Sequence, residues 1–233
     1  MRSAALTWPP QYSVRVSKKA KYARLRVLPH SGLEVVLPYR LPQKTAADIV
    51  EKHKAWICKT LSTVDIQDHT LQQHCPQSIL LNGDTTTFSV FYGTCGRPET
   101  DTAVYIRARQ EDTAAAVKEL QEWVREYANK TLGARVFALA ARHGMLYSDC
   151  RFRRQKSRWG SCTASGSLSL NTCLVFLPEA LANHVILHEL AHTRHMNHGE
   201  DFWKTLFAME PQALTLDKQL RRAWRYVPGW IWL

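Results

Sequence analysis

Alternation of apolar and polar residues dominates the first hundred positions. Residues 22–28 (YARLRVL) alternate, and Leu33, Val35 and Leu37 alternate again after the Ser31-Gly32 turn, which predicts a β-hairpin. Pro38 and Pro42 end that pattern, and Thr45 is placed to cap a helix over 46–61. Residues 87–92 and 104–108 read as two further strands, with polar linkers at 67–74 and 93–101.

The period then changes. Val117, Leu120, Val124, Ala128, Leu132, Val136 and Leu139 follow helical spacing, which predicts one long helix from Asp112 or Thr113 to about His143, stopped by Gly144. A domain boundary is expected near 110, giving a strand-rich region 1–110 and a second region 111–233. Residues 158–162 and 167–170 read as a second hairpin around the turn 163–167. A helix is expected over 178–195, opened by Pro178 and Glu179, followed by helices at 202–209 and 212–224 and an apolar tail at 227–233. The fold class predicted is α+β, a strand-rich N-terminal half followed by a largely helical half.

Composition narrows the class. The chain has 233 residues, 45% of them hydrophobic and 22% charged, which excludes wholesale disorder. No apolar run approaches the roughly 18 residues of a membrane span, and no apolar leader opens the sequence, so a cytoplasmic protein is expected. The six cysteines (58, 75, 95, 150, 162 and 173) form no CxxC pair and are expected as reduced thiols. Net charge is +11, and five basic residues crowd into 151–158 (RFRRQKSR). That run suggests an anionic or nucleic-acid-associated partner, or simply a solvated basic face.

The chemistry concentrates in the helix over 178–195. His188 and His192 stand four residues apart, so their rings project from one face on successive turns. Glu189 lies beside them, placed to take a proton from water at a metal. A catalytic zinc takes three protein ligands and leaves a fourth position open, and His198 is the favoured third donor. His195 competes with it, and His184 lies one turn before His188; both are expected to be surface or supporting residues. Among the strands nearby, Arg158, Trp159 and Asn171 are the candidate substrate contacts, Asn171 for a developing oxyanion. The structural alternatives are core packing for Trp159 and Cys162, a bulge or close approach at Gly160, and a strand-end cap for Asn171. Tyr147 is a further oxyanion candidate, and Met209 is too weakly placed to form a methionine turn.

The HELAH segment with His198, Phe202-Trp203, the KSRWGSC segment at 156–162, Gly166 and Leu170-Asn171 together resemble the YgjP-like metallopeptidase family. In its metal motif that family is similar to SprT-like and Wss-type zinc peptidases. The resemblance implies a zincin-like catalytic region with one zinc on His188, His192 and His198, Glu189 as general base, and a peptide or protein substrate. Two other readings remain open from the residues alone. The same site could hydrolyse a nucleotide phosphoanhydride with 151–158 holding phosphates, or the chain could be a nucleic-acid-binding module with structural zinc. Three imidazoles favour zinc over an oxygen-loving ion, and Glu189 would be idle in a structural site.

Overall fold

A computed structural model describes residues 8–28, 31–61, 75–83, 85–93 and 102–233. The linkers expected at 67–74 and 93–101, and Cys95, lie largely or wholly outside those residues. Contacts divide the chain into two units, 1–71 and 72–233.

In the first unit, strands β1 (Tyr12–Ser17), β2 (Arg24–Leu28) and β3 (Gly32–Pro38) form one sheet in the order β1-β3-β2. The predicted hairpin is present as the antiparallel pair β2–β3. β1 was not anticipated and pairs parallel with β3. The single helix expected over 46–61 is two helices, α1 (Thr45–Lys52) and α2 (Lys54–Leu61), parted at His53. Thr45 does not cap: it is the first helical residue, and its hydroxyl donates to the Pro42 carbonyl at 2.6 Å. Leu33, Val35 and Leu37 on β3 bury against Val50, Ile57 and Leu61 on the helices.

The second unit is organised around α3 (Thr113–Arg142). Asp112 caps it, accepting a hydrogen bond from the Ala115 amide at 3.2 Å, as the sequence suggests. Ala116, Leu120, Val124, Ala128, Leu132, Val136 and Ala140 recur every four residues and are all buried, forming one continuous stripe. The sheet β4 (Ser78–Leu81), β5 (Thr86–Tyr92), β6 (Ala103–Ile106) shares this core. The break in contacts therefore falls at 71/72 and not near 110. Gly83 shows one physical reason: its amide donates to the Phe176 carbonyl at 2.9 Å, and a Cβ there would meet Pro178 Cγ at 2.7 Å. The β4–β5 turn is thus locked to the segment that starts the next helix.

A third sheet has the order β7-β9-β8. β8 (Gly160–Cys162) and β9 (Ser167–Asn171) are the predicted hairpin. β7 (Asp149–Arg153) pairs parallel with β9, so part of the basic run is a strand. Two of its arginines serve the fold: Arg151 pairs with Asp149 at 2.6 Å, and Arg154 donates to the Ile231 carbonyl at 2.6 Å. After a 3-10 segment (Thr172–Phe176) comes α4 (Glu179–His192), which stops three residues earlier than expected. Helices α5 (Glu200–Met209) and α6 (Ala213–Leu220) follow. The apolar tail folds back as a 3-10 turn that buries Trp230 and Ile231. Among the described residues no helix is long and apolar enough to cross a membrane.

Candidate metal centre and active site

Helix α4 is apolar almost all round, with Leu181, Ala182, Val185, Ile186, Leu187, Leu190 and Ala191 buried. It packs against α3, α5, α6 and β8, so the polar residues it carries enter a largely dry interior. Beyond Glu179 in the first turn, those residues are Asn183, His184, His188, Glu189 and His192.

His188 and His192 lie on successive turns with ring centres 4.9 Å apart. The chain then leaves the helix and returns through His198, whose Nε2 stands 3.1 Å from His188 Nε2. One donor nitrogen from each of the three rings lies within 4.8 Å of the others. A tetrahedral zinc with bonds of about 2.0–2.1 Å needs ligand nitrogens about 3.3 Å apart, so the cluster fits such an ion. The backbone carbonyl of His195 lies 2.9 Å from His192 Nδ1, which favours a proton on that nitrogen and leaves Nε2 as the donor. His195 thus meets the site through its main chain, on which the sequence pattern is silent. Burial, reinforced by the rings of His192, His198 and His184, pushes His188 down to about 3. It is therefore neutral and free to ligate at any ordinary pH.

Phe202, fully buried at the start of α5, sets its ring 4.6–5.0 Å from all three imidazoles. The residue-type logic of metal ligands passes over it, although it falls four residues after His198. His184 is not on the surface: it is 1% exposed, and its ring centre is 6.2 Å from that of His188.

Glu189 is 6% exposed, and its Oε2 has no hydrogen-bond partner among the described residues. Burial pushes its carboxyl up to about 7, while the nearby Arg158 guanidinium draws it down. The other wall of its niche is Gly160 on β8. A Cβ at that position would sit 2.6 Å from Glu189 Oε1, so the close approach offered as an alternative for this glycine is real.

The three candidate substrate contacts differ in setting. Arg158 is exposed and acts on Glu189 through its charge. Trp159 is buried, its ring stacked on Trp224 with centres 3.9 Å apart. Asn171 is wholly buried and its amide is occupied: Nδ2 donates to the carbonyls of Gln155 (2.7 Å) and Arg158 (2.8 Å), and Oδ1 accepts from the Cys173 amide (3.0 Å). It caps the 3-10 segment and anchors the loop that leads into β8. Tyr147 neighbours Gly166, at the turn end of the hairpin. Cys162 borders Glu189, whose charge adds to burial in raising the thiol.

A family profile described as YgjP-like, metallopeptidase domain, matches residues 21–223. No curated protein and no solved structure matches the chain. Because the profile spans well over half of the sequence and contains the whole histidine cluster, the chain belongs to the YgjP-like metallopeptidase family, with the metal-dependent, peptidase-type function that this description implies.

Proposed function

We propose that the chain is a zinc-dependent peptidase in which Glu189 moves the proton of the attacking water. The observation that carries this reading is the pairing of a buried, unpartnered carboxyl with three converging imidazoles. His188, His192 and His198 would hold the zinc, since neutral imidazoles suit that ion better than magnesium or calcium. When bound, it would supply Lewis acidity at the scissile carbonyl and a positive charge that favours the carboxylate form of Glu189.

The protein's own residues account for the proton. A carboxyl raised toward neutrality by burial can accept the water proton and then return it to the departing amine. Gly160 leaves it the necessary space, and Arg158 tempers its proton affinity. Among the described residues β8 is an edge strand, bonded to β9 on one side only. An extended peptide could add to its other side through main-chain hydrogen bonds, with little demand on sequence.

The test is cleavage of an unstructured protein such as casein by the wild type and Glu189→Gln, with metal content measured on both. The expected result is equal zinc content and a fall in cleavage of roughly 100- to 10,000-fold. A Glu189→Gln variant that cleaves at the wild-type rate would overturn the assignment. So would a wild type that cleaves a nucleoside triphosphate but no peptide.

A further inference from the structure

The first unit carries a groove of about 600 Å³, and the residues that line it all belong to that unit. Its position follows from strand register. Ser17 at the end of β1 stands opposite Pro38 at the end of β3, and Arg24 at the start of β2 stands opposite Val36. The β1–β2 turn and the exit from β3 therefore leave the sheet at the same end. Lys18, Lys19, Lys21 and Tyr22 are brought beside Tyr39 and Arg40, and these residues line the groove.

Two properties define what it can hold. All four cations are exposed, and among the described residues no acidic side chain lines the groove. The nearest acidic residue along β3, Glu34, is taken by Arg15 at 3.0 Å and Arg26 at 3.8 Å. Over the stretch 8–61 the sequence has eleven Lys and Arg against three Asp and Glu, a strong positive excess that favours an anionic ligand. The second property is aromatic. Tyr22 is 75% exposed and Tyr39 56% exposed, and Arg40 braces the latter by donating from Nε to its hydroxyl at 2.9 Å. Leaving two large rings in water among cations gains nothing for a folded unit whose core lies elsewhere.

We infer that this groove binds single-stranded nucleic acid, with the lysines and Arg40 on the phosphates and the two tyrosine rings stacked on bases. A positive channel with exposed aromatic platforms suits a strand whose bases are free to splay out, and it reads shape and charge more than sequence. A duplex offers the phosphates but hides the base faces, and an acidic peptide offers charge without flat rings.

Fluorescence anisotropy of a labelled 12-nucleotide single strand of mixed sequence, in DNA and RNA forms, tests this on the full chain. Tyr22→Ala/Tyr39→Ala is expected to weaken binding by at least roughly tenfold, while Tyr22→Phe/Tyr39→Phe keeps it, because stacking needs the ring and not the hydroxyl. Lys18→Gln/Lys19→Gln/Lys21→Gln should flatten the slope of log K against log salt by about 2, since each phosphate contact on a single strand contributes about 0.7. The matching duplex should bind at least about tenfold more weakly than the single strand, by the same stacking argument. Absence of binding, an alanine pair that binds like the wild type, or equal affinity for the duplex overturns the inference. Displacement by poly-glutamate at the same charge concentration as unlabelled strand also overturns it, in favour of an acidic protein partner.

Discussion

Gly160 and Glu189 share a space that admits only one side chain: a Cβ on the glycine would lie 2.6 Å from Oε1, 2.7 Å from Cγ and 2.9 Å from Cδ of the glutamate. The absent side chain of β8 is what allows a carboxyl to stand in the dry wall of α4. Gly160→Ala should therefore push Glu189 aside without touching the histidines. Displacing a catalytic group by about 1 Å costs on the order of 100-fold in rate. The expected outcome is a loss of that size in kcat/KM with metal content unchanged, read by a peptide-cleavage assay beside elemental analysis.

The three imidazoles should be separable from their neighbours by metal retention. His188→Ala, His192→Ala and His198→Ala each remove a donor from the cluster and are expected to lose most of the bound metal on dialysis against a mild chelator. His195→Ala should keep it, because that residue contacts His192 through its backbone carbonyl. Metal retained in His198→Ala and lost in His195→Ala would reverse the ligand assignment.

Asn171 is expected to matter for stability first and activity second. Truncation to alanine strands the carbonyls of Gln155 and Arg158 and the Cys173 amide inside the protein. Leaving such groups unpaired costs about 3 kcal/mol in total, equivalent to a fall of roughly 6–12 °C in Tm. Asn171→Asp should do no better, since a carboxylate cannot donate to the two carbonyls. Thermal unfolding of both variants checks this.

The stability profile against pH should have a defined alkaline edge. Burial pushes the Cys150 thiol up to about 11 and Cys173 up to about 12. A thiol whose folded pKa is raised contributes stability that is full below its unfolded value of about 8.5 and is lost as pH climbs toward the folded value. His184 works at the other edge: burial lowers it, so its contribution is full above about pH 6.5 and is lost as pH falls. Glu189 opposes His184 there, because a carboxyl raised by burial to about 7 favours the folded state as pH falls through that value. Tm measured from pH 8 to 10 should therefore decline as the thiols titrate. At pH 8 only about one Cys150 in a thousand is thiolate, so iodoacetamide should label it far more slowly in the folded protein than in urea.

The sequence conveyed local patterns well and distant pairings poorly. The α3 stripe with its Asp112 cap, both hairpins and the turn-by-turn spacing of His188 and His192 are local, and each is visible in period and punctuation. β1 and β7 were missed because each pairs parallel with a strand beyond its neighbour in the chain, and the four-residue β4 was missed although it pairs with its neighbour β5, being too short to show a period. In β7 the alternation of Cys150 and Phe152 with Arg151 and Arg153 was present but masked by the charge of the run. The helix break at His53 falls in the polar run 51–54 and the early end of α4 in the polar run 193–195, neither of which carries Gly or Pro as a stop signal; at the latter, the Thr193 hydroxyl turns back onto the Leu190 carbonyl at 2.8 Å. The cluster of histidines was legible, whereas the Phe202 platform and the niche against Gly160 depend on packing between elements.

The three candidate ligands all fall from His188 to His198, ten positions apart. Closing a loop that short removes only about 2 kcal/mol of chain entropy by the logarithmic length dependence. A cross-link of this kind does little to hold distant parts of a polypeptide together, unlike a metal that staples remote segments. Core packing along α3 and α4 would hold the second unit together with or without its ion, which would leave the metal as an exchangeable tool and not a girder.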